Sequence, residues 1–216
     1  MGAITVSRQL GSHGARIARG VAMKLGWPIA DKGTINGVIK QYGLIHLDHL
    51  YGDKPPTFWD LFDHDSVLTI EWMNKTVQAI AAQGDAVILG RGGFAVLKDY
   101  ADVLDVFIKA PDDVRAERIS LRDDIQQSEA ARKVAADDQA RAKFTRLIYS
   151  RDWADEKNFD LVIDTGQVTD EAAMDQIIDA YRALMAGQPA GPRVADIRPD
   201  PVLADTVREQ LTRPRR

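Results

Sequence analysis

The sequence predicts an α/β protein built on a parallel sheet with helices on both faces. Three observations predict it. Short apolar runs at 4–7, 86–89, 103–108 and 160–164 alternate with helical stretches. The run Ala86-Val87-Ile88-Leu89 is apolar throughout, as strands buried on both faces are. Glycine-rich turns, Gly11-Ser12-His13-Gly14 and Gly90-Arg91-Gly92-Gly93, directly follow two of the strands.

Taken in order, residues 4–7 form the first strand. Residues 14–25 form a helix with Ile17, Val21 and Leu25 on one face, stopped by Gly26-Trp27-Pro28. Residues 28–30 are a short extended piece ending in Asp31. A second helix uses Ile35, Val38 and Ile39 and breaks at Gly43. Residues 44–64 read as irregular. A long helix over 66–82 is capped by Asp65 or Ser66 and closed by Gly84. Strands at 86–89 and 103–108 follow. Pro111 opens a helix carrying Val114, Arg115 and Arg118. Residues 123–150 are helical, with apolar content too thin for a core element. The last strand, 160–164, precedes a helix over 169–185. The proline- and glycine-bearing stretch 187–200 reads as a linker, followed by a short helix at 201–212 and a basic end.

Composition narrows the function classes. With 216 residues, one α/β domain with a small insertion fits, and the chain can bury a sizeable core. A net charge of −4 gives no bulk electrostatic case for nucleic acid. No apolar run reaches the ~20 residues that span a bilayer, so no membrane association is expected. The chain contains no cysteine, which excludes disulfides and thiolate metal sites and suits a cytoplasmic protein.

In a parallel sheet, ligands sit beyond the carboxyl ends of the strands. Those ends carry residues 7–14, Asp31, residues 90–93 and Ala110. Glycines, Asp31 and arginines therefore gather at one edge. The 11–14 turn can point successive backbone N–H groups into a concavity, to which the following helix adds its positive end. That suits an anion; an ordinary glycine turn fits the same residues. Arg91 can grip a phosphate bidentately or pair with Asp102 or Asp105. Asp31 either borders a pocket or caps a helix. Arg115, Arg118 and Arg122, with Arg132, Lys133, Arg141, Arg146 and Arg151, form either a flap over a polyphosphate or a solvated face with interleaved carboxylates. His46, His49 and His64 lie in no metal-ligand motif, and no metal site is assigned. Phe58, Trp59 and Phe62 read as packing or a hydrophobic lip, and Trp153 as structural.

With these residues assembled, the chain resembles the cytidylate kinase-like proteins, within the nucleoside monophosphate kinases. The blocks that match in order begin at 4–14 and 26–33. They continue at Val87-Ile88-Leu89-Gly90-Arg91-Gly92, at 106–111 with Arg115-Ala116-Glu117-Arg118, and at Asp138-Gln139-Ala140-Arg141 and 158–165. The resemblance implies a three-layer P-loop kinase fold: a five-stranded parallel sheet, a monophosphate-binding insertion at about 32–84 and a helical lid at about 119–157, all within residues 1–186. Residues 187–216 would be linker and tail. It implies ATP and Mg2+ as cofactors, and phosphoryl transfer to CMP, dCMP or another small phosphorylated acceptor.

Carried over by residue, Gly11, Ser12, His13, Gly14, Ala15 and Arg16 would cradle the donor phosphates. Arg115 and Arg118 would close on the donor. Arg91 would hold the acceptor phosphate, Asp31 would border its pocket, and Asp138 and Arg141 would reach it from the lid. The chain departs from the family pattern in the loop. Gly14 or Ala15 stands where a lysine is usual, and Arg16 where the metal-binding hydroxyl is. Leu89 and Gly92 replace two aspartates around Gly90-Arg91. Arg16, or Arg8 within the loop, is expected to restore the missing charge, so Arg8, Arg16, Arg118 and Arg141 are the candidate catalytic residues. The alternative is a catalytically silent nucleotide-binding module.

Overall fold

The computed structural model describes residues 1–43 and 64–213. Residues 44–63 of the segment read as irregular, with His46, His49, Phe58, Trp59 and Phe62, lie outside the described residues, and residue 64 belongs to the long helix instead. Strands β1 (Ala3–Arg8), β2 (Ile29–Ala30), β3 (Ala86–Leu89), β4 (Val103–Lys109) and β5 (Leu161–Asp164) form a five-stranded sheet in the order β2-β3-β1-β4-β5. Each neighbouring pair is parallel. The helices are α1 (Gly14–Leu25), α2 (Lys32–Gln41), α3 (His64–Ala82), α4 (Gly93–Val96), α5 (Asp112–Asp123), α6 (Gln127–Tyr149), α7 (Asp170–Ala186) and α8 (Pro201–Thr212).

The period-2 alternation of the strands divides the core into two. Ile4, Val6, Val87, Leu89, Leu104 and Val106 face α1 and α7, packing on Ile17, Val21, Ile177 and Ile178. Ala3, Ala86, Ile88 and Val103 face the other way, onto Ile35, Val38 and Ile39 of α2 and Met73, Val77 and Ile80 of α3. Towards β5, Phe107 stacks on Phe159 and meets the edge of the Trp153 ring. Trp153 is thus a packing residue. The result is three layers, with the strand ends left open at one rim.

Two sequence expectations are corrected. The 187–200 stretch does not run free of the domain. Val194 is fully buried, its N–H donates to Asp102 Oδ1 at 2.9 Å, and Ala101 N–H donates to Pro192 O at 2.8 Å. It delivers α8, whose Leu203 and Val207 are buried in the same cluster as Ile35 and Met73. The second correction concerns α6. Its polar composition hides a narrow apolar seam in which Ala130, Val134 and Phe144 are buried.

Candidate active site

The turn after β1 is held from behind. Gly11 (φ 82°) and His13 (φ 59°) are both left-handed. The buried Ser12 hydroxyl donates to Gln9 O at 2.8 Å. Arg118 Nη1 donates to Gly11 O at 3.2 Å and to Thr165 Oγ1 at 2.9 Å, and Thr165 Oγ1 donates to Ser12 O at 3.0 Å. With the Gly11 and Ser12 carbonyls committed to this anchor, the first N–H groups of α1 form an electropositive end at the strand rim. Gly14 opens that helix, and Ala15 is half-buried beside it.

Arg8 lies across the mouth of this turn. A Cβ added to Gly14 would overlap Cβ of Arg8 and lie 3.0 Å from its Cγ. A Cβ on Gly90 would overlap Nη1 and lie 3.2 Å from Cζ. The side chain thus starts over the α1 N-terminus and ends over the exit of β3. Its pKa is pushed down to about 9, first by burial, then by Arg141 and Arg91, against the pull of Asp137 and Asp31. Its residue area is only partly covered, but the surrounding atoms are dense enough to desolvate the guanidinium. The Arg8 side chain makes no hydrogen bond or ion pair among the described residues, while its backbone pairs with β4 in register with Ile108. Crowding of three guanidiniums is costly unless an anion joins them.

Arg16 does not supply the loop charge in this structure. It is exposed, pairs with Asp170 at the start of α7, and its Nη2 lies 2.9 Å from His13 Nδ1. His13 Nδ1 also lies 3.0 Å from Asp170 Oδ1. Helix geometry explains this: Arg16 sits on the outer side of the first turn of α1, where the acidic start of α7 is the nearest counter-charge.

Arg115 is likewise an anchor, packed directly against the turn: a Cβ added to Gly11 would lie 2.7 Å from Arg115 O. It is 1% exposed, donates through Nε to Ala110 O at 3.1 Å, and pairs with Asp112 at 2.5 Å and Asp138 at 2.8 Å. Burial works against its charge, but the bonds to Asp138 and Asp112 prevail and raise its pKa. Asp138 is itself pushed up by burial against the pull of Arg115. The pair ties α5 to α6.

On the other side of Arg8, Arg91 (φ 54°) turns its buried side chain to α2, donating from Nη2 to Asn36 Oδ1 at 3.1 Å. The expected pairings of Arg91 with Asp102 or Asp105 do not form: Asp102 accepts from Val194, and Asp105 accepts from Thr5. Asp31 caps α2, accepting from Gly33 N at 3.0 Å and Thr34 N at 3.2 Å, with Arg19 3.6 Å away. It is both cap and rim residue. Arg141 on α6 pairs bidentately with Asp137, one turn earlier, while close enough to Arg8 to depress its pKa. The structure thus gathers Arg8, Arg91, Arg141 and Asp31 around the α1 N-terminus. Arg118 lies behind the loop, Arg16 is paired with Asp170, and Arg115 is paired with Asp138. Thr165, Asn36, Asn74 and Tyr149 were not singled out from the sequence. Only Thr165 carried a signal there, a hydroxyl immediately after the last strand.

A parallel sheet in the order 2-3-1-4-5, a glycine-bearing turn between β1 and α1, and a helical hairpin of α5 and α6 define the P-loop kinase class. The comparisons agree. A crystal structure of a shikimate kinase from Bacteroides thetaiotaomicron superposes with a TM-score of 0.50 at 14% identity, covering 86% of this chain and 98% of that one. A protein of unknown function from Eubacterium ventriosum superposes with a TM-score of 0.68 at 19% identity, covering 85% and 99%.

The family model of the cytidylate kinase-like family matches residues 3–167, and the chain belongs to that family. Cytidylate kinase of Pyrobaculum neutrophilum is 33% identical over 168 residues, 77% of this chain and 85% of the relative. That of Pyrobaculum aerophilum is 31% identical over 172 residues, with the same coverage. Among the described residues, no helix is long and apolar enough to cross a membrane.

Proposed function

We propose that this protein transfers the γ-phosphoryl group of ATP to a small phosphorylated acceptor, with CMP and dCMP the first candidates. The observation that carries the reading is the convergence of Arg8, Arg91 and Arg141 between the α1 N-terminus and the end of β3. Residues 32–84 serve as the acceptor-side insertion, and residues 119–157 as the lid.

In this reading, the N–H groups that open α1 cradle the donor phosphates. An acceptor phosphate oxygen, held by Arg91, forms the new bond to the γ-phosphorus. The bond to the β–γ bridging oxygen breaks in line, and ADP leaves with that oxygen's electron pair. Phosphoryl transfer needs positioning and charge neutralisation more than covalent help. Arg8 is placed to span both phosphates and take the part of the absent loop lysine. Its planar fork meets two oxygens at once, which a lysine does not. Arg141 closes the third side from the lid.

The residues fit an anionic nucleotide. They do not fit a loop-held Mg2+: Arg16 stands where the metal-binding hydroxyl is usual, Ser12 is fully buried, and no group of three carboxylates or histidines is poised for a metal among the described residues. Family membership implies Mg2+, and no step here runs through it.

The test is a coupled assay with ATP, Mg2+ and a panel of nucleoside monophosphates, alongside calorimetry with ATP. Turnover with a cytidine monophosphate is expected. ATP binding without turnover of any acceptor would replace the kinase reading with that of a silent nucleotide-binding module. Absence of ATP binding at millimolar concentration would overturn both.

A further inference from the structure

Tyr149 is the last residue of α6 and rests on the loop that carries Arg91. A Cβ on Gly92 (φ 69°) would lie 2.5 Å from both Cε2 and the hydroxyl oxygen of Tyr149. The ring therefore fills the volume that any side chain at position 92 would enter. Its hydroxyl donates to Asn74 Oδ1 of α3 at 2.8 Å. Its ring and that of Phe144 are steeply inclined with centroids 6.1 Å apart, and it packs against both the α2–α3 core and the Phe94–Phe107–Trp153 cluster. One side chain thus touches the Arg91 loop, the lid helix and the acceptor-side helix. Arg141 lies eight residues earlier on the same helix, about 12 Å up its axis.

We propose that Tyr149 is a positioning residue for the acceptor: its ring seats the root of the lid on Gly92, and its hydroxyl latches that root to Asn74, holding Arg141 and Arg91 in one frame. The inference rests on the proposed kinase reading for its kinetic consequence, while the latch is a property of the free protein. A lid pinned at its root pivots above Tyr149, so that closure brings Arg141 down while Arg91 stays in register with Asn36. Releasing the latch loosens the acceptor side and leaves the donor loop, which is anchored separately by Arg118 and Thr165, as it was.

The experiment uses Tyr149→Phe, Asn74→Ala and the double variant in the full chain. Tyr149→Phe keeps the ring and removes the hydrogen bond. The expected result is an acceptor KM, measured with CMP, raised about three- to tenfold at unchanged kcat and unchanged ATP affinity. Asn74→Ala should give the same change, and the double variant no more than either. Additive effects, an unchanged acceptor KM, or an equal loss of ATP affinity would overturn the latch. Amide exchange of the last turn of α6, measured without nucleotide, keeps the two readings apart. If the wild type turns over no acceptor, the kinase reading fails, yet faster exchange at 144–149 in Tyr149→Phe still supports the latch and unchanged exchange overturns it.

Discussion

Gly14 and Arg8 compete for one volume. The Cβ that any other residue at position 14 would carry falls on the Arg8 Cβ, so the glycine at the head of α1 is what lets the arginine side chain cross the loop. The missing lysine and the extra arginine are therefore one substitution in space, although six positions separate them along the chain. Gly14→Ala should displace Arg8 and weaken ATP binding by roughly tenfold to a hundredfold, the worth of one charged hydrogen bond to phosphate. Arg8→Ala should cost the same. Calorimetry on the two variants checks this, and normal binding by Gly14→Ala would break the spatial link.

Arg16 provides the contrasting case. Its partner is Asp170 and its side chain is 65% exposed. Exposed pairs of this kind are worth ~0–1 kcal/mol. Arg16→Ala should leave ATP affinity within about threefold of the parent. A loss as large as that of Arg8→Ala, measured in the same titration, would return the phosphate role to Arg16.

The rim itself was legible in the sequence because it follows from chain direction. Four apolar residues at 86–89 require a buried parallel strand, and the loop after such a strand opens on the same edge as the loop after β1. Residues 11–16, Asp31 and Arg91 had to gather there. Side-chain choice was not legible. Arg8 and Arg16 are both a few residues from the turn, and what separates them is Asp170, far along the chain on a helix whose docking against α1 no local pattern encodes. The same holds for Arg115, whose pairing depends on Asp138 in the neighbouring helix. The 187–200 stretch was read as linker because a single Val194 among prolines gives no period, but the helix at 201–212 was legible.

That segment makes its own prediction. Leu203 is 1% exposed and packs with Val207 against α2 and α3. Tyr42 and Thr206 hydroxyls lie 3.3 Å apart at the same seam. Leu203→Ala should destabilise the domain by about 2–5 kcal/mol, as large-to-small changes in a closed core do. Urea denaturation measures it. A loss below about 0.5 kcal/mol would show that α8 is peripheral to folding.

Asp105 makes the stability of the fold depend on pH. Its carboxyl is buried beside Thr5 of the neighbouring strand β1, accepts a hydrogen bond from Thr5 Oγ1, and sits beside Asp160, whose Oδ2 accepts the Asp105 N–H at 2.8 Å. Its pKa is pushed up from 3.8 to about 7, chiefly by burial; Asp160 adds to the rise, while Thr5 and Arg151 oppose it. The folded chain therefore holds this proton more tightly than the unfolded chain. Stability from this group is greatest below 3.8, is lost as pH climbs towards 7, and is flat beyond. The whole span is on the order of 4 kcal/mol. Asp105→Asn keeps the shape and the acceptor for Thr5 and removes the ionisation. Between about pH 5 and about pH 8 the melting temperature of the parent should fall more steeply than that of the variant, and the variant should be the more stable at the upper end. Parallel pH profiles for the two proteins would show that Asp105 stays ionised throughout, with the Thr5 hydroxyl and Arg151 outweighing its burial.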